Sequence, residues 1–154
     1  MMNARNLIYG ALAVGAVAFL ATAAPAVAHH AFGAEFDADA PIRLEGAIVR
    51  VEWVNPHSWI HIDVENDDGT SQVWMIEGGT PNVLLRRGLR RECLTIGSVL
   101  IVDGYQAKDH SLPRANGRDV TFTDGTKFFL GSSGTGAPED GAERRSFESG
   151  RGRC

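Results

Sequence analysis

Apolar and polar positions keep a different rhythm in each part of the chain. Near the start, a short polar segment with Arg5 leads into an unbroken apolar run from Leu7 to Ala23. Pro25 and the triplet Ala26-Val27-Ala28 follow. A charged start, an apolar segment and a small-x-small site predict a secretory signal over 1–28, cleaved after Ala28. The competing reading is an uncleaved anchor. The run is 17 residues long, at the short edge of what spans a bilayer, and it ends in a helix breaker.

From residue 42 the rhythm becomes a strict alternation. Ile42 and Leu44 are apolar at even positions, whereas Val49, Val51 and Trp53 are odd. A parity change within one strand needs an extra residue, and Gly46-Ala47 is where the pattern places that bulge. A second strand over 58–65 has Ile60, Ile62 and Val64 on one face, with Trp59, His61, Asp63 and Glu65 on the other. Asn66-Asp67-Asp68-Gly69 reads as a turn, and 71–77 returns as a third strand. With Asn66 facing Thr70, Ile62 meets Trp74, Ile60 meets Ile76 and His61 meets Met75. Residues 80–88 predict a short helix capped by Thr80, with Pro81 in its first turn and Gly88 at its exit. Residues 98–105 read as strand four and 106–117 as a polar loop. Strand five covers 118–123 and 127–130, broken at Asp124-Gly125. The expected class is therefore all-β: a small OB-like barrel of five strands, with one short helix between strands three and four. A two-sheet sandwich would want more strands.

The alternation stops at Leu130. Residues 131–154 are rich in Gly and Ser, carry one aromatic residue, Phe147, and balance four basic against four acidic side chains. They read as a flexible tail. The chain thus divides into a signal (1–28), a folded domain (29–130) and a tail (131–154). The full chain has a net charge of −4. Without Arg5 and the tail the domain is more acidic, with 10 basic and 15 acidic residues. That balance argues against a nucleic-acid partner. Once the signal is removed, nothing points to a membrane. Arg86, Arg87, Arg90 and Arg91 cluster at a helix end, where cations are favourable. Two cysteines, Cys93 and Cys154, are too few for a disulfide framework. They could close a long loop, but unpaired or intermolecular use is the favoured expectation. No nucleophile elbow is present.

Candidate chemistry rests on the five histidines, His29, His30, His57, His61 and His110. Cleavage after Ala28 makes His29 the first residue and His30 the second. A terminal amine with the imidazole of a first or second His offers several nitrogen donors in one plane, which suits Cu(II). His57, in the loop before strand two, is the candidate distant ligand. His110 lies in the loop between strands four and five, the second loop that flanks an OB ligand face. His61 and Met75 are possible additional ligands, the thioether suiting Cu(I). Each also has a plain reading: His57 as a turn cap, His61 as a solvent-facing strand residue, His110 as a loop residue. Glu77, before Gly78-Gly79, could ligate or cap. Trp59 and Trp74 are ligand-face candidates that could equally be core. Phe32 and Phe36 are expected to pin the N-terminal arm to the barrel. The expected function is an exported, periplasmic protein that binds a transition metal, copper favoured, through His29, His30 and His57. The alternative is a non-metal binding module for a small molecule, glycan or partner protein. A copper-dependent oxidase is the remaining reading, and it requires an open coordination position.

His29-His30-Ala31-Phe32, Glu35-Phe36-Asp37, Leu44-Glu45-Gly46, Trp53-Val54-Asn55-Pro56-His57 and Trp74 form a joint pattern. Glu77 to Asn82, Leu85 to Gly88 and Gly104 to Asp109 extend it. With these motifs the chain resembles an uncharacterised bacterial exported family, whose mature chains start His-His-x-Phe and later carry Trp-x-Asn-Pro-His. The resemblance covers nearly all of 29–130. It implies export and one compact domain, and supplies no activity. Its signature does not include His110, Cys93 or Cys154.

Overall fold

The computed structural model describes residues 31–131. The expected signal segment over 1–28, His29, His30 and the expected tail beyond Gly131 lie outside the described residues. The elements run α1 (Ala31–Glu35), β1 (Phe36–Glu52), β2 (Trp59–Glu65), β3 (Ser71–Glu77), α2 (Pro81–Arg86), β4 (Val99–Ala107), β5 (Arg114–Phe122) and β6 (Lys127–Phe129). A 3₁₀ turn at Arg91–Cys93 precedes β4. The strands form one sheet in the order β3-β2-β1-β4-β5-β6. Neighbours are antiparallel, and a parallel pairing of β3 with β5 closes five strands into a ring.

The long first strand makes this ring possible, because its two halves have different partners. Pro41–Ala47 pair with β4 and Ala47–Glu52 with β2. The parity change is present, but the extra residue is Val49, between Ile48 and Arg50. Ile48 stays inside and Val49 points out, 43% exposed. Gly46 has a different part in the strand: a Cβ there would lie 2.5 Å from the Asp63 carbonyl oxygen. Its missing side chain lets β1 cross closely over β2, while the bulge sits further along.

β2 and β3 pair in the register the alternation predicts, with Ile60 opposite Ile76, His61 opposite Met75 and Ile62 opposite Trp74. Asn66 N–H donates to the Thr70 carbonyl at 2.7 Å, and Gly69 turns the chain at φ +81°. Ile48, Ile60, Ile62, Ile76, Leu100, Val102 and Val120 are all fully buried inside the ring. Removing their apolar surface from water is the main stabilising contribution. α2 adds Leu84 to the same core. Its Thr80 hydroxyl accepts from Val83 N–H at 3.3 Å, and Gly88 leaves the helix at φ +89°.

Strand five departs from expectation at both ends. It begins at Arg114 instead of 118, so the polar loop shrinks to Lys108–Pro113. The run Arg114-Ala115-Asn116-Gly117-Arg118 has almost no apolar rhythm, yet it bonds to β4 on one side and β3 on the other. At the far end, Asp124-Gly125 does not interrupt one strand but reverses the chain. Asp124 Oδ1 accepts from Thr126 N–H at 2.8 Å, and β6 pairs back on β5 as a separate sixth strand. Cys93 is disulfide-bonded, which sets aside an unpaired thiol; its partner is outside the described residues. No helix among the described residues is long and apolar enough to cross a membrane.

Candidate functional site

Odd-numbered residues of β2 point out of the ring, and the register carries that face across its neighbours. Glu52, Trp59, Glu77 and Asn116 form one outward row; Arg50, His61, Met75 and Arg114 form the next. The β1–β2 loop, with a cis Asn55–Pro56 bond, covers the first row from one side. The N-terminal arm covers it from the other.

Between them lies a cleft of about 220 Å³, lined by Glu35, Phe36, Val54, Asn55, Pro56, His57, Trp59, Glu77 and Arg114. Arg114 is its central cation. The guanidinium lies 4.7 Å from the Trp59 ring centroid and 5.8 Å from that of Phe36. Its Nη2 donates to Glu35 Oε2 at 2.7 Å and approaches Glu77 Oε2 at 3.8 Å. His57 Nδ1 lies 3.3 Å from Glu77 Oε1, an ion-pair distance without hydrogen-bond alignment. Acidic and basic side chains therefore alternate along Glu35–Arg114–Glu77–His57. Burial pushes the Glu77 carboxyl above its ordinary 4.5, and the Glu35 carboxylate pushes the same way. The His57 imidazole, the Arg114 guanidinium and a hydrogen bond with Asn116 pull it back down.

Phe32 and Phe36 pin the arm as the sequence implies. Both are buried with Tyr105 and Ala107 in a small cluster apart from the main core. Phe32 meets Tyr105 edge-on at 5.6 Å. Lys108 adds two bonds, from its N–H to Glu35 O at 2.9 Å and from its ammonium to Gly33 O.

The sequence-predicted residues divide by place. His57 and Trp59 are in the cleft. His29 and His30 lie outside the described residues, and His30 is bonded directly to Ala31 of the arm. His61 is not solvent-facing: it is 7% exposed, and its Nε2 lies 2.9 Å from Glu52 Oε1. His110 is exposed on the β4–β5 loop, with Nε2 3.5 Å from Asp37 Oδ2, and does not line the cleft. Trp74 packs against the main core on the face of Ile62, not on that of Trp59. The same alternation that puts Trp59 outside puts Trp74 inside, because it faces an even-numbered partner. Among the described residues, no three His, Cys, Asp or Glu side chains cluster as a metal site.

Sequence reasoning missed Arg114 and Glu35. Glu35 stands in the motif Glu35-Phe36-Asp37, so position in a motif was its available signal. Arg114 carried none, because its importance comes from the non-local β3–β5 pairing. No curated protein and no solved structure matches the chain. A family model does match, over residues 16–115, a span that includes the arm and every residue lining the cleft. The chain belongs to that family, DUF6152, a family of unknown function.

Proposed function

We propose that this is a small exported protein of the periplasm that binds a transition metal, copper favoured, through His29, His30 and His57. The observation that carries the reading is that Glu35, on the arm that begins at the proposed terminal chelate, reaches into the cleft that holds His57. α1 is five residues long, about 7 Å at a rise of ~1.5 Å per residue. The arm is anchored near its start by Phe32 and at its end by Phe36 and the Glu35–Arg114 pair, so Ala31 is tethered within a few residues of the cleft. That preorganisation is what a chelate assembled from two chain segments needs. The carboxylate of Glu77 beside His57 Nδ1 supports the same reading. Metal-binding imidazoles commonly turn one nitrogen to a carboxylate and offer the other to the ion. Here Nε2 would be the ligating atom.

We read the five-stranded ring as OB-like. The parallel closure of β3 on β5, and a cleft on the β2–β3 face beside the β1–β2 loop, are the supporting features.

The test has two parts. Mass spectrometry of the exported chain should find His29 as its first residue. Titration with Cu(II) should then show binding that His57→Ala weakens and that one added residue before His29 removes. Unchanged affinity with the added residue overturns the terminal chelate.

A second reading has its own observation, the stacking of Arg114 on Trp59 within an open cleft. It is a non-metal module holding a small molecule, glycan or partner protein. Capture from periplasmic extract that survives a chelator and is lost in Trp59→Ala favours it.

A further inference from the structure

Two ladder bonds define a side-chain pair on the outward face. Asn66 N–H donates to Thr70 O, and Gly78 N–H donates to Ser58 O at 2.8 Å. Even-numbered positions of β2 therefore exchange backbone hydrogen bonds with β3, and odd-numbered positions do not. His61 and Met75 face each other at an odd position. In such a non-hydrogen-bonded pair the Cα atoms are only about 4.5 Å apart and the side chains are at their closest. The Met75 amide agrees, since it donates the other way, to Pro113 O at 2.9 Å.

We propose that His61 and Met75 form a second metal site, for a soft monovalent cation of the Cu(I) or Ag(I) class. Glu52 sets the imidazole for it. An ionised carboxylate only accepts hydrogen bonds, so at 2.9 Å from Glu52 Oε1 the His61 Nε2 carries the proton. In the neutral ring Nδ1 then keeps its lone pair, and Glu52 fixes the ring as an outer-shell partner does. Met75 supplies a thioether on a flexible stem, 37% exposed, whose softness matches a monovalent d¹⁰ ion. The surrounding charge favours one positive unit over two. Arg50 and Arg114 flank the pair in register, each engaged by a carboxylate, Arg50 with Glu52 at 3.1 Å and Arg114 with Glu35 at 2.7 Å. The site is independent of the terminal chelate, because it uses neither His57 nor the arm.

Met75 is the sole methionine beyond Met2, so in the processed chain its ¹³C-methyl resonance is unique. Silver nitrate titrated into the exported chain should shift the Met75 methyl and the His61 ring signals together. Met75→Leu, a volume-conserving change at a partly exposed position, should abolish the His61 shift. The same variant should leave the Cu(II) titration of the terminal chelate unchanged, so failure of one site is told from failure of the other. The proposal is overturned if Ag(I) leaves the His61 ring unmoved in the wild type, or moves it equally in Met75→Leu.

Discussion

Glu77 concentrates the physical tension of the site in one side chain. It is 8% exposed, sits on β3 beside a guanidinium and an imidazole, and still has its carboxyl pushed upward by burial. A carboxyl whose folded value lies above its unfolded 4.5 binds protons more tightly in the native state. Between those two values the folded protein holds more protons than the unfolded one, so stability falls as pH rises through the window. Below 4.5 the effect is absent, and above the folded value it is fully developed. Glu77→Gln should therefore raise stability at neutral pH, with the difference closing as pH falls toward 4.5. Denaturant unfolding across that range checks it; an equal difference at every pH contradicts it. Asp68, Asp109 and Asp124 behave in the opposite sense. Hydrogen bonds from Thr70, Ser111 and Thr126 hold their carboxyls below 3.8, so what they contribute is lost as pH falls through the depressed values.

At the scale of elements, the arm is the piece whose placement decides whether the cleft exists. α1 is too short to be stable alone, and what holds it is tertiary. Phe32 and Phe36 bury against Tyr105, Lys108 bonds to the backbone, and Arg114 bonds to Glu35. Phe32 and Phe36 were legible as anchors because two aromatics beside a polar segment have little other use. Their partner Arg114 was not, because strand five was expected to begin at 118. Arg114→Gln should loosen the arm by about 1 kcal/mol, the scale of a partly exposed ion pair. Amide exchange over Phe32–Phe36 should rise several-fold while the ring strands keep their protection. Unchanged exchange would show that the aromatic cluster alone holds the arm.

For the whole molecule, the ring is closed by a short parallel seam in which Met75–Glu77 meet Arg114–Asn116. The first half of β3 lies beyond that seam. Val73 is at a position that does not bond to β2, so its N–H points to an open edge, and Val73 itself is 45% exposed. Ile76 and Ala115, both fully buried at the seam, should exchange their amide protons only through global unfolding, whereas Val73 should exchange through solvent contact. Equal protection at Val73 and Ile76 would mean that the edge is covered in solution. The sequence by itself determined the β2–β3 hairpin with its register, the caps of α2, the inward apolar residues of β2 and, on β1, Ile42, Leu44, Val51 and Trp53, but not the exchange at the bulge that puts Ile48 inside and Val49 out. These follow from local alternation and turn chemistry, which act over a few residues. Tertiary structure alone decided that Val49 is the bulged residue, that β5 starts at Arg114, that β6 folds back, and that Glu35, Arg114, Glu77 and His57 meet. Each of those depends on which distant strand supplies the backbone partner, and periodicity along one segment carries no record of that choice.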